Sequence, residues 1–287
     1  MPQPKFTASA RLKRLGAALR SLRVASNLTV DQVATNLGWS GSKVSRIETA
    51  KQIVSPSDVR ELVTLYELGA DEIEKYVAIA RRAKERDWWH KYDDVLPEWF
   101  EGYLGLETEA SKISTYESDL VPGLLQTEPY AAAVLGAYPL RTTPEEMERS
   151  VDLRRARQAR LSDENPLVLD AVISETALRR AIGGPTVMRE QLAHLTAMVQ
   201  RPNVTVRLLP FSAGEHPGLD GAFSVLEFAD ADDGRIVTVE TMTSTLYIEK
   251  TRDVGIYRLA FDQIRSVAVG PDETADMIKA TTRELEK

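Results

Sequence analysis

Cysteine is missing from the 287-residue chain. Its absence excludes disulfides, thiol catalysis, cysteine redox switching and Cys-ligated zinc. It also fits the expected cytoplasmic location. Histidine is scarce: His90, His194 and His216 are the only three, and none stands in an H-E-x-x-H or related metal spacing. No metal site is expected, and His194, beside Leu195 and Met198 in a helical pattern, reads as structural. No apolar run approaches the roughly 18–20 residues of a membrane span. The opening "MPQPKFTASARLKR" lacks the apolar stretch of a secretory signal, so neither membrane insertion nor export is expected. Catalytic signatures are missing too: there is no G-x-S-x-G elbow, P-loop or G-x-G-x-x-G, and "IGGP" at 182–185 is a loop glycine pair. No catalytic residue and no cofactor is expected, and the chain is not read as an enzyme. A solenoid is disfavoured because no repeat of about 20–50 residues is present.

What the chain has is enough length for two domains and an uneven charge distribution. Hydrophobic residues make up 43% and charged residues 28%, as in an ordinary globular protein. Residues 1–70 hold ten Lys and Arg against five Asp and Glu, a net of +5. The whole chain carries −7, so the remainder carries −12. A basic segment on an acidic body suggests a polyanion-binding module joined to one that avoids polyanions.

The first 70 residues read as short helices. Leu12, Leu15, Leu19 and Leu22 recur at three- and four-residue spacing, the stripe of a first helix. In "NLTVDQVATNLG", Thr29 and Gln32 form a capping box, and Val30, Val33, Ala34 and Leu37 are the expected buried side. Gly38 stands where a helix ends in a left-handed residue. Ser40 is the expected cap of a third helix ending near Ala50. Ser55–Pro56 starts another, continued by Val59, Leu62, Val63 and Tyr66.

Two short helices joined by a glycine-containing turn describe a helix-turn-helix, whose second helix enters the major groove of double-stranded DNA. In "GWSGSKVSRIETAK", Val44 and Ile47 are expected to point inward, leaving small hydroxyls and cations outside. Arg46 has the reach for a guanine edge, and Ser42 for base or phosphate. Lys43 and Lys51 suit phosphate contacts, as do the hydroxyls and backbone N–H groups of Thr29 and Ser40 at helix N-termini.

Residues 11–68 resemble the phage-repressor, or xenobiotic-response-element, family. The matching stretches are "LRSLRVASNLTVDQVATNLGWSGSKVSRIETAK" and "SPSDVRELVTLYEL", with "SKVSRIE" close to the family's recognition-helix pattern. The resemblance implies base-reading positions at Gly41, Ser42 and Arg46, backbone contacts by Ser40, Lys43 and Lys51, and a structural role for Glu48. Gly41 replaces a polar residue often found there, and Trp39 is bulky for the turn.

Beyond Asp71 a further helix precedes an aromatic stretch that holds three of the four tryptophans, Trp88, Trp89 and Trp99, with Tyr92, Phe100 and Tyr103. It is read as an interface segment rather than a ligand site. Strands are expected in 166–173, 203–210, 222–229, 235–241 and 244–250, and helices in 145–161, 186–200, 254–269 and 273–287. The fold expected is an all-α N-terminal helix-turn-helix domain over residues 1–86, with its boundary near Arg86. An aromatic linker over 87–103 and an α+β C-terminal domain over 104–287 follow.

The stretch "YLGLETEASKISTYESDLVPGLLQTEPYAAAVL" is similar to the first part of an uncharacterised domain common in actinomycete regulators, including those called WhiJ-like. "SETALRRAIGG", "LPFSAGEHPGLDGAFSVLEF" and "VETMTSTLYIE" match the same pattern. This resemblance implies a regulator whose body binds a small neighbour-encoded partner protein or a ligand. Within "VPGLLQTEPYA", Leu124 and Leu125 are candidate anchors, with Gln126, Thr127 and Tyr130 as hydrogen-bonding groups; packing into the domain's own core is the competing reading. The glycine-rich 213–223 loop offers His216 and Asp220 as a candidate recognition loop. The expectation is a transcriptional regulator acting as a homodimer. Its alternatives are an antitoxin-like protein-binding module and an enzyme with a DNA-targeting head.

Overall fold

The computed structural model describes residues 10–82, 88–138, 143–229 and 234–285. The boundary expected near Arg86 lies outside them. The chain forms two compact units, one of residues 1–90 with 101–106 and the other of 91–100 with 107–287. The aromatic stretch expected as a linker is divided between them, with Trp88 and Trp89 in the first and Trp99 in the second.

The helices of the first unit begin and end where local chemistry dictates. Helix α1 spans Ala10–Ala25, α2 Val30–Leu37, α3 Gly41–Glu48, α4 Pro56–Leu65 and α5 Ala70–Arg82. Thr29 and Gln32 exchange both bonds of a capping box at the start of α2. Gly38 ends that helix at φ 67°, a left-handed conformation that costs glycine little. Ser40 caps α3, and Ser55 with Asp58 forms a second capping box before Pro56. Leu12, Leu15 and Leu19 of α1 meet Val33, Val44, Ile47, Val59, Leu62, Val63, Val77 and Ala80 in one core. Leu22, Val30 and Leu37 are half-buried against it. Helix α6, Glu98–Glu109, contributes residues to both units.

The second unit is built on a six-stranded mixed sheet. Its strands are β1 Ala110–Glu117, β2 Val168–Ser174, β3 Val204–Leu209, β4 Phe223–Phe228, β5 Arg235–Glu240 and β6 Thr245–Ile248, in the order β3-β2-β1-β4-β5-β6. β1, β2 and β3 pair in parallel, whereas β4, β5 and β6 continue the sheet antiparallel from β1. Helices α7 Glu128–Gly136, α8 Pro144–Gln158, α9 Glu175–Arg179 and α10 Pro185–Met198 precede α11 Thr251–Val267 and α12 Pro271–Glu284. Tyr116, Val172, Leu209, Phe223, Val225 and Val237 face one side of the sheet and bury Val254, Phe261 and Ile264 of α11.

The all-α head and α+β body agree with expectation, and each of the five expected strands is present. The central strand β1 was not foreseen. Its "ASKISTYE" mixes serine, lysine and threonine with apolar residues, and it becomes central only through pairing with β2 and β4 from far along the chain.

Candidate nucleic-acid interface

Helix α3 is held from behind and bare in front. Val44 and Ile47 are each 1% exposed, whereas Ser42, Ser45, Arg46 and Thr49 face outward. Arg46 and Ser42 have no hydrogen-bond or ionic partner among the described residues, which leaves a guanidinium and a hydroxyl presented to whatever approaches. Lys51, just beyond the helix, is exposed in the same way. Its backbone N–H closes onto the Arg46 carbonyl at 2.8 Å, which tethers the lysine to the last turn.

Three contacts fix the pose of this helix. Arg23 of α1 grips Glu48 with two bonds, Nε to Oε1 at 2.6 Å and Nη2 to Oε2 at 3.0 Å. Its Nη1 also donates to the Leu28 carbonyl. The two side chains are 11% and 6% exposed, so this is an ion pair largely removed from water. Gly16 provides the second contact. A Cβ there would lie 2.7 Å from the Ile47 carbonyl oxygen and 2.9 Å from that of Glu48, so only glycine lets α1 approach the end of α3. The third is Lys43, whose Nζ donates to Asp58 Oδ1 at 2.7 Å and stands 3.4 Å over the Trp39 ring. Burial pushes the Asp58 carboxyl up, but hydrogen bonds from Lys43 and Ser55 outweigh it and hold the group below its ordinary value. The structural role implied for Glu48 thus has its partner. Lys43 is anchored to Asp58 within the domain while its side chain stays partly exposed.

The caps occupy the remaining expected positions. Thr29 Oγ1 accepts from the Gln32 N–H at 3.2 Å, and Ser40 Oγ accepts from Lys43 N–H at 3.2 Å. Both side chains remain exposed at the N-termini of α2 and α3. Gly41 opens α3 close to Asp31, whose Oδ1 would lie 3.2 Å from an added Cβ. The sequence pointed to the outward face, but not to Arg23, Gly16 or Asp58, whose roles depend on helices meeting in space.

In the second unit, four expected partner-binding residues belong to the interior. Leu124 and Tyr130 are 5% and 0% exposed, Leu125 0% and Gln126 3%. Gln126 Nε2 donates to the Val121 carbonyl at 2.7 Å, its Oε1 accepts from Arg154, and the Tyr130 hydroxyl accepts from Val121 N–H. Gln191 of α10 bonds the backbone of Leu125 and Thr127. These contacts correct the reading of the segment as an exposed docking patch: its apolar surface and hydrogen-bonding groups are taken up within the domain. His216 is half-buried, accepts from Gly218 N–H at 3.1 Å and meets Tyr116 edge-on, so it shapes its loop. Asp220 is exposed beside Leu219, which is 71% exposed.

Among the described residues no three His, Asp or Glu side chains are grouped to hold a metal ion, and no helix is long and apolar enough to cross a membrane. The architecture is that of a helix-turn-helix head with a mixed-sheet body. Residues 14–75 match a helix-turn-helix domain. Residues 100–280 match the family described as a domain of unknown function, DUF5753, and the chain belongs to that family. No curated protein and no solved structure matches it.

Proposed function

We propose that the protein is a sequence-specific, DNA-binding transcriptional regulator of the xenobiotic-response-element type. The observation that carries this reading is the outward face of α3: Arg46 and Ser42 are unpartnered on a helix whose back is fixed by Val44, Ile47 and the Arg23–Glu48 pair. Binding energy is then spent on DNA rather than on ordering the reader. As a homodimer, it would set two α3 helices into successive major grooves, about 34 Å apart. The C-terminal domain is the sensor half, taking a small ligand or neighbour-encoded protein, as in the WhiJ-like actinomycete regulators. It carries out no catalysis, and the whole acts in the cytoplasm.

Selection from a randomised duplex DNA pool, followed by titrations of the enriched sequence, tests this. Arg46→Ala should weaken binding to the selected sequence by about 1–3 kcal/mol and relax preference at one base position. Lys51→Ala should weaken all sequences alike and lower the salt dependence. No enrichment from the pool, with partner proteins captured instead, favours the antitoxin-like reading. Arg46→Ala binding as tightly and selectively as the parent would refute the placement of the reading face.

A further inference from the structure

The second face of the body's sheet carries a polar patch that DNA recognition does not use. Strand register fixes its membership. Thr115 of β1 pairs with Ser224 of β4, and Ser224 with Thr238 of β5, which sets three hydroxyls side by side. Side chains two residues apart on a strand share a face, so Glu117 and Glu240 join the same patch. β6 completes it, with Thr245 paired to Glu240 and Tyr247 paired to Thr238.

Only part of this patch is satisfied by the chain. The Thr115 and Ser224 hydroxyls lie 2.8 Å apart and bond each other, and the Tyr247 hydroxyl donates to the Trp99 carbonyl at 3.5 Å. Thr238 is 2% exposed, and neither its hydroxyl nor that of Thr245 has a hydrogen-bond partner among the described residues. A buried hydroxyl without a partner forfeits its hydration and destabilises the fold, whereas valine at the same place would carry no such penalty. Two such threonines on adjacent strands indicate a partner from outside the chain.

The surrounding charges indicate its sign. Glu107, Glu117 and Glu240 stand against Arg154 and Arg157. Arg157 is taken by Glu107 through bonds of 2.8 and 2.7 Å, with the side chains only 7% and 2% exposed. Arg154 donates to Gln126 and acts electrostatically on both Glu117 and Glu240. No hydrogen bond or ion pair among the described residues holds Glu117 or Glu240, so both carboxyls are left for a partner. Burial first, and Glu240 second, push the Glu117 carboxyl up to about 8, and burial raises Glu240 as well. Glu117 is nevertheless only half-buried and Glu240 is exposed. Water still reaches both carboxyls, which stand on the same sheet face as Thr238 and Thr245.

We propose that this patch binds a small protonated amino alcohol, the class that includes amino sugars, with its ammonium between Glu117 and Glu240 and its hydroxyl held by Thr238 and Thr245. The ammonium takes the place of the proton that Glu117 keeps in the folded protein, and the hydroxyl supplies what the two threonines lack. The inference deepens the sensor role proposed for this domain and rests on that reading.

Calorimetric titration of the full-length protein with ethanolamine and glucosamine, each against its uncharged counterpart ethylene glycol or glucose, tests the site. At least one amine should bind at least tenfold more tightly than its counterpart. Glu240→Gln should weaken that binding by about tenfold or more, as expected for a hydrogen bond to a charged group. Thr238→Val should weaken it several-fold while leaving the thermal midpoint equal or higher, an outcome that a purely structural hydroxyl does not produce. Absence of heat with both amines, or unchanged affinity in Thr238→Val, overturns the proposal. DNA selection run on the same preparations separates the two readings: amine binding lost with selection intact removes this site alone, and selection lost with amine binding intact removes the regulator reading alone.

Discussion

The two units present different polar groups to a partner. In the helical head the charges that pose α3 are matched within the fold, Glu48 by Arg23 and Asp58 by Lys43, and the cap hydroxyls of Thr29, Ser40 and Ser55 meet backbone N–H groups; the buried Tyr66 hydroxyl is the exception. Arg46 and Lys51 point outward. In the sheet body the unmatched groups share one sheet face, where the buried hydroxyls of Thr238 and Thr245 lie beside the carboxyls of Glu117 and Glu240. A reader of a large polyanion needs unpaired cations on a convex face, where the partner brings the countercharge. Under the proposal made for the body, a small molecule would instead bring the partners that the threonine hydroxyls lack, where burial strengthens each contact.

The sharpest way to break this contrast is to unbalance the head's buried ion pair. Glu48→Ala leaves the Arg23 guanidinium buried without its carboxylate and should cost about 3–5 kcal/mol in urea denaturation. The double change Arg23→Met with Glu48→Leu should recover most of that loss, since removing both charges removes the desolvation penalty as well. Gly16→Ala comes next. Its new methyl meets carbonyl oxygens that cannot swing away, so a loss of about 1–3 kcal/mol is expected, together with weaker DNA binding as α3 shifts.

Glu117→Gln should have a smaller, pH-dependent effect on the body. With its folded value raised from 4.5 to about 8, Glu117 keeps a proton in the folded protein that the unfolded chain releases. Stability is therefore fully helped only below the unfolded value and falls as pH rises through that window. The glutamine variant should lose about 1–2 kcal/mol less than the parent between pH 5 and 8, measured as denaturation midpoints; Glu240, Asp119 and Arg154 nearby modulate the curve. The smallest effect is expected at Arg60, whose ion pair with Glu74 is 46% and 60% exposed. Arg60→Ala should change stability by less than about 1 kcal/mol, and a larger loss would show that surface pairs help hold the head together.

Much of the head was legible because its signals are local. A cap, a left-handed glycine and a 3.6-residue stripe act within one or two turns, and α3 itself dictates which of Val44, Arg46 and Ile47 lies inside. The other five strands were legible for a similar reason, as β-rich runs between turn residues. β1 was not, because its polar residues contradict the usual pattern of a central strand. Leu124, Leu125, Gln126 and Tyr130 had the chemistry of a docking motif and of a core segment alike, and only packing separates the two.

The linear sequence by itself determined the head's helix boundaries, the orientation of its reading face and the division into a basic head and an acidic body. Tertiary structure alone decided that Arg23 meets Glu48, that Gly16 admits the end of α3, and that Lys43 is spoken for by Asp58. It alone gathered Glu117, Thr238, Glu240 and Thr245 onto one sheet face. The reason is range: a cap or a stripe is a property of neighbours along the chain, whereas a buried ion pair or a shared sheet face joins residues whose proximity exists only after the chain has folded.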